Sequence, residues 1–440
     1  MRLRVRPARR LAGRLEVPGD KSISHRAALF GALARGTTEV YGFLEAEDCL
    51  RTLRAVEALG AEVTRKGPGE YRITGTGPRG FGEPADVLDC GNSGTTARLL
   101  LGVLAAQPFW TFLTGDDSLR RRPMGRVVAP LAAMGATVVG RADGARLPLG
   151  IRGGPLRALH WDLPVASAQV KSAILLAGLH ADGPVSVTEP ALSRDHSERL
   201  LRQFGARLER RGLTTTVEPG ALQATAVRVP GDISSAAFLL VAGAIVPGAQ
   251  VTVSGVGLNP TRTGILEVLA AMGAALAVSP AAVDPADEAR GEPTGEVTVR
   301  ASELRATTVG GPLIPRLIDE IPVLAVAAAC ARGRTEIRDA GELRVKESDR
   351  LAALARELSR LGARVTAQPD GRVVEGAARL TGARVASGGD HRIAMALAVA
   401  GLVAEGETVV EDAACIATSF PGFADDLNAL AGEPVVTVEP

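Results

Sequence analysis

The chain reads as an α/β (α+β) protein of six related units, arranged as two similar domains of three units each. Three observations lead there. A helix-to-strand junction recurs as Ala58-Leu59-Gly60-Ala61, Ala133-Met134-Gly135-Ala136, Gln203-Phe204-Gly205-Ala206, Ala271-Met272-Gly273-Ala274, Arg360-Leu361-Gly362-Ala363 and a degenerate Leu430-Ala431-Gly432. Its spacing of roughly 70 to 90 residues is too long for the common solenoids. Around each junction the same order of elements repeats, and 440 residues with 46% hydrophobic and 22% charged side chains can fill two large cores.

Each unit opens on a small or polar helix start, at Lys21-Ser22, Asn92-Ser93-Gly94, Ser167-Ala168-Gln169, Asp232-Ile233-Ser234, Asp319-Glu320 and Asp390-His391-Arg392. The helix bodies that follow, such as Ala236–Val246 and Ile321–Cys330, are apolar on every face and should be buried. A glycine turn then leads to a β-branched strand, as in Gly36-Thr37-Thr38-Glu39-Val40 or Gly406-Glu407-Thr408-Val409-Val410. Next come a polar loop and an amphipathic helix, preceded by Asp48, Arg120-Arg121-Arg122, Arg194-Asp195-His196, Thr261-Arg262, Lys346-Glu347-Ser348 or Thr418-Ser419. The junction glycine occupies the position just past the helix end, and one or two strands follow. Ala85–Asp89 reads as a further strand, and Met1–Arg6 as another by its alternation of charged and apolar residues. The halves divide near Arg228-Val229-Pro230, giving domains at 18–227 and at 228–440, the latter taking the N-terminal strand of residues 1–17. If the buried helices of a half run parallel, their N-termini and basic side chains gather on one face. Two such faces across a cleft would bind multiply charged anions.

Several function classes are excluded. A net charge of +1 argues against a broad nucleic-acid surface, and 3% aromatics are too few for base-stacking platforms. Cys49, Cys90, Cys330 and Cys415 are far apart, and the five histidines lack metal-ligand spacing, so no disulfide and no metal site are expected. The apolar runs Phe238–Val246 and Ile393–Ala404 are far shorter than the ~20 residues of a membrane span. With no secretory h-region, the expectation is a cytoplasmic monomer.

The six starts differ chemically, which separates an enzyme from a structural scaffold. Lys21 and Ser22, with Arg26 one turn on, place cations where the helix dipole opposes them unless an anion is present. Gly91–Arg98 combines two glycines, hydroxyls and Arg98 at a helix start, but it fits neither Walker A nor the nucleophile elbow. Arg122 lies in a basic loop, and Ser167-Ala168-Gln169 offers groups that orient hydroxyls or carboxylates. Acids concentrate in the second half: Asp319 and Glu320, Glu347 within Arg344–Arg350, and Asp390. Acids in one half and cations in the other suit acid–base chemistry on a bound polyanion.

PGDKSISHR (Pro18–Arg26), Gly91–Arg98, Arg122-Pro123-Met124, SAQVK (Ser167–Lys171), Arg194-Asp195-His196, NPTRT (Asn259–Thr263), Ile318–Glu320, RVKESDR (Arg344–Arg350), DHRIAM (Asp390–Met395) and IATSF (Ile416–Phe420) together resemble the 5-enolpyruvylshikimate-3-phosphate synthases. The resemblance runs in order along essentially the whole chain. It implies two domains of three βαβαββ repeats with buried parallel helices, an inverse α/β barrel-like fold. It also implies transfer of the enolpyruvyl group of phosphoenolpyruvate to the 5-hydroxyl of shikimate 3-phosphate, on the route to chorismate and aromatic amino acids, without a cofactor. By matched position, Lys21, Ser22, Arg26, Ser167, Gln169, Arg194, Asp319 and Lys346 would hold shikimate 3-phosphate. Lys21, Asn92, Gly94, Arg122, Gln169, Arg350 and Arg392 would hold phosphoenolpyruvate. Asp319, Glu347 and Lys21 would carry the proton transfers. A methyl group on Gly94 should intrude on phosphoenolpyruvate or on the family's inhibitor, glyphosate. Ala168 and Thr418 stand where some members have Ser and Lys. A related family acting on UDP-N-acetylglucosamine has the same architecture, but it carries a cysteine in the loop matching Thr114–Arg122, which here has none.

Overall fold

The computed structural model describes residues 1–281 and 291–440. The described residues form two compact units: Met1–Pro18, 230–281 and Pro293–Pro440 make up one, here the carboxy-terminal unit, and Gly19–Val229 with 291–292 the other, the amino-terminal unit. Each has its own hydrophobic core.

Among the described residues, six four-stranded sheets, three per unit, carry the repeat. In every sheet an edge strand runs parallel to its neighbour, and the remaining pairs are antiparallel. In the sheet Leu88–Asp89, Trp110–Thr114, Arg146–Arg152, Thr137–Arg141, the edge strand comes just before the buried helix that leads into the second. Two sheets exchange that edge strand. Ala12–Glu16 pairs with Gln250–Gly257, and Ala226–Arg228 pairs with Arg35–Tyr41. These exchanges lie where the chain passes from one unit to the other, at Pro18-Gly19 and at Val229-Pro230. The last repeat is completed from the other end of the sequence, because Arg2–Val5 lies between Thr408–Glu411 and Val436–Glu439.

The apolar helices are buried as their composition requires. Twelve of the 13 residues of Ile233–Ile245 are buried, and every residue of His391–Gly401. All six junction glycines have positive φ, from 69° at Gly432 to 119° at Gly135, a region that residues with a Cβ avoid. Burial also demands close approach. A Cβ on Gly243 would lie 2.7 Å from Val299, and one on Gly178 2.7 Å from Val217, so these helices rest directly on their sheets. The helices Gly94–Leu104 and Ala168–Gly178 meet at Gly102, where a Cβ would lie 2.3 Å from the Ala173 carbonyl oxygen.

Three boundaries differ from the sequence expectation. The strand expected at Ala85–Asp89 is only Leu88–Asp89, since Pro84 and the polar Asp86 precede it. Asp48 lies inside the first turn of Glu47–Ala58 rather than before it. The basic run Arg120-Arg121-Arg122 closes a short helix, Asp117–Arg121, before the amphipathic helix Gly125–Met134 begins. Among the described residues, no helix is long and apolar enough to cross a membrane.

Gly102→Ala should drive a methyl group into backbone that cannot retreat. Overpacking of this kind costs about 1–3 kcal/mol, which should lower the unfolding temperature by on the order of 5 °C. Gly154→Ala, where nothing lies within 4 Å of the added atom, is the matched control and should leave it unchanged. Thermal denaturation followed by circular dichroism reads both.

Candidate active site

In the amino-terminal unit the polar residues collect at the starts of three buried helices. Asp20, Ser93 and Ser167 cap them, accepting hydrogen bonds from the backbone N–H of Ile23, Thr96 and Val170. Lys21 opens the first helix, its Nζ 2.5 Å from Asp48 Oδ2. One turn on, Arg26 is buried, donating to Ser197 Oγ at 2.7 Å, the Ser22 carbonyl at 2.8 Å and Ser172 Oγ at 2.9 Å. Burial pulls its pKa down to about 10, an effect the carboxylates of Glu198 and Asp20 oppose and the nearby charge of Arg194 reinforces. The guanidinium is still cationic at neutral pH, and its direct partners are all neutral.

The second start is crowded with guanidinium groups. Arg98 donates to Gln169 Oε1 at 2.8 Å and to the Pro123 carbonyl at 3.1 Å, and Gln169 Nε2 donates to Thr95 Oγ1 at 2.9 Å. Arg122 donates to Asn92 Oδ1 at 2.7 Å, and Asn92 in turn donates to Asp116 at 2.6 Å. Arg122 is only 7% exposed, so it is not the solvated basic loop its neighbours suggested. A Cβ on Gly94 would lie 2.6 Å from Arg98 Nη1 and 3.1 Å from Arg122 Nη1. The first thing a methyl group meets there is this pair of cations.

Beneath these residues lies a fully buried Lys171, with Nζ 2.7 Å from Glu189 and 2.6 Å from Glu198. Two carboxylates outweigh the burial that would otherwise lower its pKa, and hold it raised.

The carboxy-terminal unit gathers a denser ionic cluster. Arg350, fully buried at the start of Arg350–Arg360, donates to Asp390 through Nε at 2.9 Å and Nη2 at 3.3 Å, to Glu347 at 2.6 Å and to Asp319 at 3.2 Å. Burial alone would lower its pKa, but the three carboxylates together raise it. Lys346 Nζ lies 3.7 Å from Asp319 Oδ1, and Arg392 Nη2 3.7 Å from Asp319 Oδ2. Arg392 also donates to the Asp319 carbonyl at 3.2 Å. Asp319 sits in the turn before Ile321–Cys330, and Glu347 in the loop between Gly341–Val345 and Arg350–Arg360. Glu347 is therefore not part of a salt-bridged helix face. Asp390 caps the helix His391–Gly401 and also accepts from Ser348 Oγ at 2.9 Å.

Each unit thus brings its own expected residues together: Lys21, Ser22 and Arg26 in one cluster and Asn92, Gly94, Arg122 and Gln169 in another, with Ser167 capping the third helix. Asp319, Lys346, Glu347, Arg350 and Arg392 form one network. Arg98, Asp48 and Asp390 were not assigned as site residues from sequence. Arg98 was visible within the Gly91–Arg98 stretch, and Asp48 and Asp390 stood at helix starts, but nothing local showed that they pair with Lys21 and Arg350, from which they are distant in the chain.

A family model described as EPSP synthase (3-phosphoshikimate 1-carboxyvinyltransferase) matches residues 5–427. The chain belongs to the EPSP synthase family. Curated relatives of the family named 3-phosphoshikimate 1-carboxyvinyltransferase include one from Desulforudis audaxviator, 56% identical over 98% of this chain and 99% of its own length. Another, from Gloeobacter violaceus, is 57% identical over 96% and 97%. The solved EPSP synthase of Acinetobacter baumannii is 43% identical, covers both chains fully and superposes with a TM-score of 0.87. An enolpyruvyl transferase from Streptomyces tendae shares the fold at 20% identity, with a TM-score of 0.78. The EPSP synthase family is one of transferases, so the expected enolpyruvyl transferase fold and enzyme class both hold, and the UDP-sugar and scaffold alternatives fall away.

Removing Asp390 should expose how much of the cluster depends on it. Asp390→Ala takes from the buried Arg350 the carboxylate it holds through two nitrogens and uncaps a helix, and loss of one partner of a buried pair costs up to about 3–5 kcal/mol. A lowered denaturation midpoint with an unchanged denaturant slope is the expected outcome.

Proposed function

We propose that the chain transfers the enolpyruvyl group of phosphoenolpyruvate to the 5-hydroxyl of shikimate 3-phosphate, releasing phosphate, as a 3-phosphoshikimate 1-carboxyvinyltransferase of the shikimate pathway to chorismate and aromatic amino acids. The observation that carries this is identity of 53–57% over nearly the full length to curated relatives bearing that name. The polar clusters fit it chemically. Both substrates are polyanions, and Lys21, Arg26, Arg122, Arg350 and Arg392 are cations held at fixed positions.

We assign Lys21, Ser22, Arg26, Ser167, Gln169, Arg194, Asp319 and Lys346 to shikimate 3-phosphate. To phosphoenolpyruvate we assign Lys21, Asn92, Gly94, Arg122, Gln169, Arg350 and Arg392. Glu347 gives a proton to the methylene carbon of phosphoenolpyruvate, and Asp319 takes the proton of the 5-hydroxyl as its oxygen bonds to the adjacent, now electron-poor carbon. A tetrahedral adduct results. Loss of a methyl proton back to the Glu347 carboxylate, together with cleavage of the carbon–oxygen bond to phosphate, which leaves with the proton held by Asp319, then restores the double bond. Lys21 assists proton movement at the same groups. No step requires a metal or an organic cofactor.

Arg350 supports a coupling between binding and this chemistry. The guanidinium of Arg350 already donates to Asp390, Glu347 and Asp319. Three carboxylates around one cation repel an incoming anion until one of them withdraws. Glu347, with 18% of its side chain exposed, is the one able to swing away. Once it leaves the cation that favours its carboxylate, it can more readily carry a proton. Four free cysteines fit a reducing compartment, and we place the protein in the cytoplasm as a monomer.

The test is phosphate release from phosphoenolpyruvate that depends on shikimate 3-phosphate. Asp319→Ala should lower kcat by about 10²–10⁴-fold while shikimate 3-phosphate still binds by calorimetry. Unchanged turnover would remove Asp319 from the assigned role, and release that depends instead on UDP-N-acetylglucosamine would overturn the substrate assignment.

A further inference from the structure

A line of buried polar side chains joins three helices of the amino-terminal unit, and none of them has a part in the chemistry assigned above. His25 Nδ1 lies 2.7 Å from Thr52 Oγ1, and Thr52 Oγ1 lies 2.6 Å from Thr96 Oγ1. Thr96 Oγ1 donates to Ser93 Oγ at 2.7 Å, and its backbone N–H donates to the same oxygen at 3.1 Å. His25, Thr52 and Thr96 are fully buried, and Ser93 is 1% exposed. Four polar groups in a dry interior would be costly unless each is satisfied by the next.

The line has a direction. In its contact with Ser93, Thr96 is the donor, which commits the single hydroxyl hydrogen of Thr96. Thr52 must then donate to Thr96, so its oxygen is left to accept from His25. The imidazole is therefore the Nδ1–H tautomer with an unprotonated Nε2, the atom that lacks a hydrogen-bond partner among the described residues. Burial and the charges of Lys21 and Arg26 keep the ring neutral, against a small opposing pull from Asp20.

The placement of the line suggests its role. Lys21 and His25 are one turn apart on the first helix, and Asp48 and Thr52 are one turn apart on the helix Glu47–Ala58. The two helices are therefore cross-linked by successive rungs, Lys21 to Asp48 and His25 to Thr52. Thr96 extends the second rung to the helix that begins at Gly94. We propose that Thr52, with His25 and Thr96, is a positioning residue: the relay His25–Thr52–Thr96–Ser93 sets the helix start at Ser93-Gly94 in register with the one at Lys21. This inference rests on the assignment of Lys21 and Gly94 to the substrates. The relay touches neither substrate and acts only through the two starts.

Thr52 allows a test that separates a hydrogen-bonding role from a packing one. Thr52→Val keeps the shape and deletes the hydroxyl, whereas Thr52→Ser keeps the hydroxyl and deletes a methyl group. The relay requires Thr52→Val to raise KM for phosphoenolpyruvate on the order of tenfold, with about a twofold change at most in Thr52→Ser. Thr52→Ser as impaired as Thr52→Val, or unchanged KM in Thr52→Val, overturns the proposal. Long-range nitrogen–proton NMR of the wild-type protein without substrate provides a second measurement that needs no variant to fold. It should show His25 protonated at Nδ1, and protonation at Nε2 instead overturns the relay. Failure of the underlying site assignment would look different: Lys21→Met and Gly94→Ala would both retain wild-type KM values while the His25 tautomer stayed as stated.

Discussion

A helix with no polar face can offer chemistry only at its ends. Six helices in this chain are apolar nearly all round, and burial follows because no side of them can face water. Their side chains are then committed to packing, with glycines where helix meets sheet or helix. What remains available is the first turn, where unpaired N–H groups need partners and the dipole favours negative charge. Asp20, Ser93, Ser167, Asp232 and Asp390 supply caps from their own side chains. Every assigned substrate or proton-transfer residue except Arg26, one turn further in, lies at such a start or at the start of one of the amphipathic helices. The fold thus fixes where polar groups can gather before it fixes which ones do.

Burying charge beneath these starts would be destabilising were the charges not matched. Lys171 sits between two glutamates and Arg350 among three carboxylates, so each unit has a buried ionic cluster under its polar surface. Such clusters contribute little net stability compared with apolar packing. They do hold side chains in one geometry, because any departure leaves a buried charge without its partner.

The sequence made the architecture legible because the repeat is written in backbone chemistry. Gly60, Gly135, Gly205, Gly273, Gly362 and Gly432 adopt the positive φ that few other residues tolerate, and they mark the six repeats. The helix starts were equally plain, since a cap before an apolar run is a local signal. The exchange of edge strands was not legible, because Ala12–Glu16 and Ala226–Arg228 find partners that nothing in their own residues specifies. The same holds within the site. Lys21, Arg122 and Arg350 could be picked out by motif, but Asp48, Asn92 and Asp390 become their partners only through the fold. The burial of Arg122 was hidden for a related reason. A run of three arginines looks like a solvated face until a short helix turns the third one inward.

The two most buried site arginines show how one residue type can be set to opposite tasks. Arg26 is held by two serine hydroxyls and a carbonyl, all neutral, so its shell fixes the guanidinium without cancelling its charge. Burial without an ion pair is unfavourable, as its lowered pKa records, and a substrate phosphate would relieve that cost on arrival. Arg350 is the reverse case. Its charge is more than cancelled by Asp390, Glu347 and Asp319, and its pKa is raised accordingly. An anion gains nothing there until a carboxylate withdraws. Under the proposed assignments, affinity belongs to the neutral shell of Arg26 and responsiveness to the anionic shell of Arg350, where an entering anion alters the surroundings of the proposed acid and base.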